Sequence, residues 1–165
     1  TEKTANAFRG EYSYIPDTLP EKQFRRSLYT YQRRTIPPPT HLTFDAPMRD
    51  NCEVRRTRSN TPLQALVMLN DKQVLTAARA LAARLAAQPA DAGTLLRDSF
   101  ARILTRTPSG SELKPLLRFY ESERERLAKD PGAVKSLLGQ DGNAEQAALV
   151  LAITLIYNLD EAVNI

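Results

Sequence analysis

The chain has no tryptophan, one cysteine and one histidine among its 165 residues. A single cysteine, Cys52, excludes an internal disulfide framework and a Cys-rich zinc site. With His41 the only histidine, a His-based metal site or a Ser-His-Asp arrangement would rest on that residue alone. No apolar run approaches the roughly 18 residues that a membrane-spanning helix needs. The longest, Ala147 to Tyr157, reads instead as a core helix. There is no Cys-x-x-Cys-His haem motif, no Gly-rich phosphate loop and no metalloprotease box. This segment is therefore expected to hold no metal and no cofactor of its own.

What remains is an ordinary globular composition, 42% hydrophobic and 25% charged, of a length that fits one domain. The chain begins Thr1-Glu-Lys-Thr-Ala5, without a methionine or a secretion signal, and is read as a piece of a longer protein. Its positive charge is unevenly placed. Residues 1–62 hold 11 Lys+Arg against 7 Asp+Glu, whereas residues 63–165 hold 12 of each. The excess, mostly arginine, would attract anionic groups or acidic protein surfaces.

Residues 1–21 read as an extended lead-in. Residues 22–60 form an arginine- and proline-rich arm. Within it, Phe24 to Thr35 favours an extended or β-like segment, although Phe24, Leu28 and Tyr31 fit a helical stripe almost as well. Pro37-Pro38-Pro39 then imposes a polyproline-type turn.

From Thr61 the pattern is helical. Thr61-Pro-Leu-Gln64 has the capping-box form, with proline at the first helical position. Leu63, Leu66 and Val67 supply an apolar face. Asn70-Asp71 recaps the chain for a second helix to about Ala87. A third helix spans roughly Thr94 to Thr105. A fourth starts after Thr107-Pro-Ser-Gly-Ser-Glu112 and runs to about Lys129, with Pro115 near its first turn. Residues 131–142 read as a Gly-rich loop. Asn143-Ala-Glu-Gln146 caps a last helix that is apolar on nearly every side and so belongs in the middle of a bundle. The expected fold is mostly α: an irregular bundle of about five helices (61–161) behind an extended arm, with 162–165 as a tail.

The strongest functional candidate is the arginine cluster Arg25, Arg26, Arg33, Arg34, Arg49, Arg55, Arg56 and Arg58, with Tyr29 and Tyr31 beside it. Guanidinium forks grip phosphate, sulfate or carboxylate, and aromatic rings stack on sugars or bases. The same arginines could equally tether the arm to the helical body through carboxylates and carbonyls. Nucleic acid is the weakest of the ligand classes, because no recognition module is visible. Cys52 reads as an inert small residue more readily than as a nucleophile, since no partnering base is evident. Asp45 and Asp50 flank Pro47 and could form a carboxylate pair, but turn-capping and arginine-pairing roles explain them at least as well. Asn60, Thr61, Gln64 and Asn70 are read as capping and buried hydrogen-bonding residues.

These motifs together resemble a known family. Arg25-Arg-Ser-Leu-Tyr-Thr-Tyr31, Arg33-Arg34-Thr35 and the prolines at 37–39 match its opening. Thr43-Phe-Asp-Ala-Pro47, Cys52, Val54-Arg-Arg56 and Asn60-Thr-Pro-Leu-Gln-Ala-Leu66 follow in its order. Leu69-Asn-Asp71 and Ala77-Ala-Arg-Ala-Leu-Ala82 continue it. Arg106-Thr-Pro108, Glu112, Phe119-Tyr120 and Asn158-Leu-Asp-Glu161 fit its tail, so that the likeness covers about residues 22–161. Ser59 stands where the pattern has threonine, which keeps the hydroxyl. The chain resembles the C-terminal domain of unknown function found downstream of c-type cytochrome regions in large exported proteins of the planctomycete type.

That resemblance implies a periplasmic, cell-surface or secreted parent, with any haem in an upstream domain. It carries no catalytic residues to transfer. The expected role is a non-catalytic module packing on a neighbouring domain of the same polypeptide. The alternative is part of a polysaccharide-processing enzyme that grips sulfated or uronic-acid glycans through the arginines.

Overall fold

The computed structural model describes residues 19, 24, 37–47, 52, 54–55, 58–87 and 89–163. Regular structure among them is entirely helical, with eight helices and no strand. The chain divides into two compact units, Thr1–Gln64 and Ala65–Ile165. The proposed extended segment at 24–35 lies outside the described residues, apart from an exposed Phe24.

In the first unit, α1 (Pro39–Thr43) is a single turn of helix that follows Pro38 in polyproline conformation. It ends with Asp45 at φ 53, in the left-handed region. The Ala46 N–H reaches back to the His41 carbonyl at 2.8 Å. This is the helix-ending geometry usually built on glycine; aspartate tolerates it better than most residues because its short polar side chain bonds locally.

Helix α2 (Pro62–Asn70) starts at the end of the first unit and ends in the second. Its capping box is present: Thr61 N–H donates to Gln64 Oε1 at 3.0 Å, and Gln64 N–H donates to Thr61 Oγ1 at 3.3 Å.

The second unit is built around α7 (Ala144–Tyr157), which packs against α3 (Lys72–Ala86), α4 (Ala92–Leu104), α5 (Gly110–Ala128) and α6 (Pro131–Leu138). Ala147, Leu149, Val150, Ala152, Ile153 and Ile156 are buried on it, as its all-round apolar sequence requires. Ala78 and Ala82 of α3 are fully buried as well. Small side chains on both helices let their backbones approach closely, since interaxial distance follows the residues at the contact. Phe100 and Leu96 of α4, with Leu113, Leu116, Tyr120 and Leu127 of α5, complete the core. Each such large apolar side chain contributes about 1.5–3 kcal/mol on burial.

The helix starts follow the local signals. Asp71 accepts from the Gln73 and Val74 amides, Asp91 from Thr94, Asp130 from Ala133 and Asn143 from Gln146. Each such cap contributes about 1 kcal/mol. Because Asp91 is the cap, α4 begins at Ala92 rather than near Thr94. Pro115 stands in the second turn of α5, not the first.

One expectation is corrected. Residues 131–142 are not simply a loop, because Pro131–Leu138 is helical. Asp130 followed by Pro131 is a cap and first helical position, and Gly139 at φ 72 closes the helix by donating to the Lys135 carbonyl at 2.8 Å. Gly139 thus marks a helix end rather than a loop. A last turn, α8 (Asp160–Val163), follows α7.

Candidate functional site

Two hydrogen-bonded constellations stand out, one in each unit. In the first unit the chain returns on itself so that residues 43–45 meet residues 59–64. Asp45 Oδ2 accepts from the Ser59 N–H at 2.7 Å and from the Ser59 hydroxyl at 2.6 Å. The Gln64 amide nitrogen donates to the Thr43 carbonyl at 2.8 Å and to Ser59 Oγ at 3.0 Å. Its oxygen is already held by Thr61 N–H. Gln64 is only 4% exposed, so these bonds satisfy an amide that burial would otherwise leave costly. Asp45, whose backbone is left-handed, thus receives both Ser59 donors on one carboxylate oxygen.

The helix that carries Gln64 is inverted relative to an ordinary amphipathic one. Its glutamine is buried, while Leu63, Leu66 and Leu69 are 56%, 58% and 50% exposed. α2 contains no charged residue at all. Leu42 of α1 and Val54 are exposed too.

The sequence-derived candidates separate as follows. Arg25, Arg26, Tyr29, Tyr31, Arg33, Arg34, Arg49, Asp50 and Arg56 lie outside the described residues. Arg55 and Arg58 are exposed, and so is Asn60. Asn70 donates to the Leu66 carbonyl at 2.8 Å, a bond within its own helix. Asp45, Thr61 and Gln64 meet in the knot described above. Cys52 is a free, exposed thiol. His41 keeps Nδ1 buried, with no hydrogen-bond partner among the described residues. Among the described residues, no group of three His, Cys, Asp or Glu side chains could hold a metal ion.

The second constellation involves residues read in the sequence only as motif positions. Arg106, just after α4, donates to both oxygens of Glu112 in α5 at 2.7 and 3.1 Å. It also donates to both oxygens of Glu161 in α8 at 2.6 and 2.7 Å. Its guanidinium lies 4.8 Å from the centroid of the buried Phe100 ring, a favourable cation–π placement. Glu112 additionally accepts from the Ser109 N–H and hydroxyl, at 2.8 and 2.7 Å, as the capping partner of α5. The Arg106 bonds, then those from Ser109, hold the Glu112 carboxyl well below its usual range, at about 2. Arg106 lowers Glu161 as well, and the two carboxylates raise Arg106 further above its ordinary value.

A second arginine acts within the same unit. Arg79 of α3 donates to the Leu137 carbonyl at 2.6 Å and to Ser136 at 3.2 Å, satisfying the end of α6. A side chain at Gly139 would be strained by its φ and would crowd Arg79 Nη1 at 3.2 Å. These arginines fasten helices together.

Residues 3–120 match the family PSD1, described as "Protein of unknown function (DUF1553)". The chain belongs to this family. The match begins before the stretch covered by the sequence motifs and ends before Asn158–Glu161. Within the matched residues, the side chains of Asp45, Thr61, Gln64, Arg79, Arg106 and Glu112 each make a tertiary or capping hydrogen bond. No curated protein and no solved structure matches the chain. No helix among the described residues is long and apolar enough to cross a membrane.

Proposed function

We propose that this PSD1-family chain is a non-catalytic interaction module that docks on a neighbouring domain of the same exported, cytochrome-associated polypeptide. The observation that carries the reading is the inversion of α2, where a glutamine is buried and three leucines face outward. A contiguous exposed apolar face marks an interaction surface more often than a free one. The knot at Asp45, Ser59 and Gln64 spends its polar groups on internal bonds, which suits a support for that face. Export of the parent, and haem in its upstream part, rest on the family resemblance.

The test supplies the upstream part of the parent polypeptide in trans and follows co-elution on size exclusion. The native chain should co-elute with it, and a Leu63→Ser/Leu66→Ser variant should elute alone. Co-elution that survives both substitutions would remove α2 from the interface and sink the reading. Calorimetry with a sulfated oligosaccharide should give no heat. Salt-sensitive binding that disappears in an Arg55→Ala/Arg58→Ala variant would instead favour the anionic-glycan alternative.

A further inference from the structure

The Arg106 clasp is lopsided. On one side, Glu112 accepts from both terminal nitrogens of Arg106 and also from the Ser109 N–H and hydroxyl. It is fixed twice, once by the arginine and once by the cap of α5. On the other side, Glu161 takes its two bonds from Arg106, and its side chain is 48% exposed. Helix α8, which carries Glu161, is a single turn of four residues with none buried. One turn does not hold itself, because nucleation fixes several residues for one hydrogen bond. Helix α8 lies against α4 and α7, with Ala162 half-buried on the core.

We infer that α8 is a releasable strap on the helical bundle, whose clasp opens at Glu161 while Arg106 stays on Glu112 and over the Phe100 ring. Opening uncovers the patch of α4 and α7 beneath α8 and leaves the bundle folded. Elements with few buried contacts open locally, at free energies well below that of the whole fold. An exposed ion pair is weak and is screened by salt, whereas the core around α7 is apolar and has no charge to screen. The two carboxylates on one guanidinium also repel each other, and the one without a second set of donors yields first. When Glu161 leaves, Arg106 keeps an opposite charge in Glu112, so no uncompensated cation is left against Phe100.

The experiment follows amide hydrogen exchange in the native chain by NMR at two positions. Ala162 reports on α8, its N–H donating to the Leu159 carbonyl at 2.9 Å, and Leu113 reports on the start of α5, its N–H donating to the Ser109 carbonyl at 3.0 Å. Raising salt from about 0.02 M to about 0.5 M should quicken exchange at Ala162 about two- to fivefold and leave Leu113 unchanged. Glu161→Gln, an exposed substitution that leaves the core intact, should quicken Ala162 by a similar factor in low salt and abolish the salt response. Leu113 quickening in step with Ala162, in salt or in Glu161→Gln, would overturn the inference, because the clasp would then open as one piece. An Ala162 amide that ignores both salt and Glu161→Gln would also overturn it, by assigning the hold to apolar packing. So would an Ala162 amide that already exchanges at the unfolded-chain rate in low salt, since α8 would then never be strapped down.

Discussion

The two units of this chain are held together by different physics. The described part of the first rests on a few directed hydrogen bonds, with Gln64 and Asp45 at their centre. The second rests on interdigitated Leu, Ala, Ile and Phe side chains around α7. Directed bonds fix geometry with little buried area, and a short irregular segment can be positioned that way. Packing stabilises in proportion to area and needs whole helices to supply it. The lesson is that an apolar helix can be held by polar bonds on its hidden side while Leu63, Leu66 and Leu69 stay exposed.

The contrast can be broken most directly in the second unit. Phe100→Ala removes a fully buried ring and should cost about 3–5 kcal/mol in chemical denaturation. A cost below about 1 kcal/mol would mean that α4 is not part of the packed core. In the first unit, Gln64→Ala removes the bonds to Thr43 and Ser59 and half the capping box. It should cost about 1–3 kcal/mol. Amide exchange should then quicken in α1 and in the first turn of α2, while α7 is unchanged. Exchange that rises equally in α7 would show the two units to be one cooperative body.

A smaller effect comes from the Arg106 cluster. Glu112 has its folded value lowered to about 2 from the ordinary 4.5, and Glu161 is lowered too. Groups lowered in this way add stability that is complete above the ordinary carboxylate value and fades as pH falls toward the folded one. The melting temperature of the native chain should therefore exceed that of Glu112→Gln at neutral pH. The gap should close between pH 4.5 and about 2. A gap that is independent of pH would assign the effect to lost helix capping rather than to charge.

The smallest effect is the most telling for the comparison. Leu66→Ser on the exposed ridge should change stability by no more than about 0.5 kcal/mol, against the several expected for a buried leucine such as Leu96. A large loss would show Leu66 to be a core residue of the isolated chain.

Much of the helical body was legible because its signals are local. Thr61 and Gln64, Asp71, Ser109 and Asn143 each stand within a few residues of the amides or carboxylates they bond. The run from Ala147 to Tyr157 is apolar on all sides, and only a central position satisfies it. At 131–142, Gly132, Gly139 and Gly142 mask the Asp130-Pro131 helix start, although that start is as local as the others. In the candidate site, Asp45, Thr61 and Gln64 were identified as polar structural residues, but nothing in the sequence said that they meet Ser59. Arg106, Glu112 and Glu161 were noticed only as motif positions. A pairing across 55 residues leaves no periodic trace in one sequence.

By itself, then, the sequence determined where helices begin, which helix is central and that positive charge gathers near the front. Those follow from capping, periodicity and composition, which act over a turn or two of chain. Only the tertiary structure decided that Gln64 is buried while its neighbouring leucines face outward, and that Arg106 clasps two carboxylates from separate helices. Such choices depend on which segments the fold brings together, and burial is a property of that assembly rather than of any residue alone.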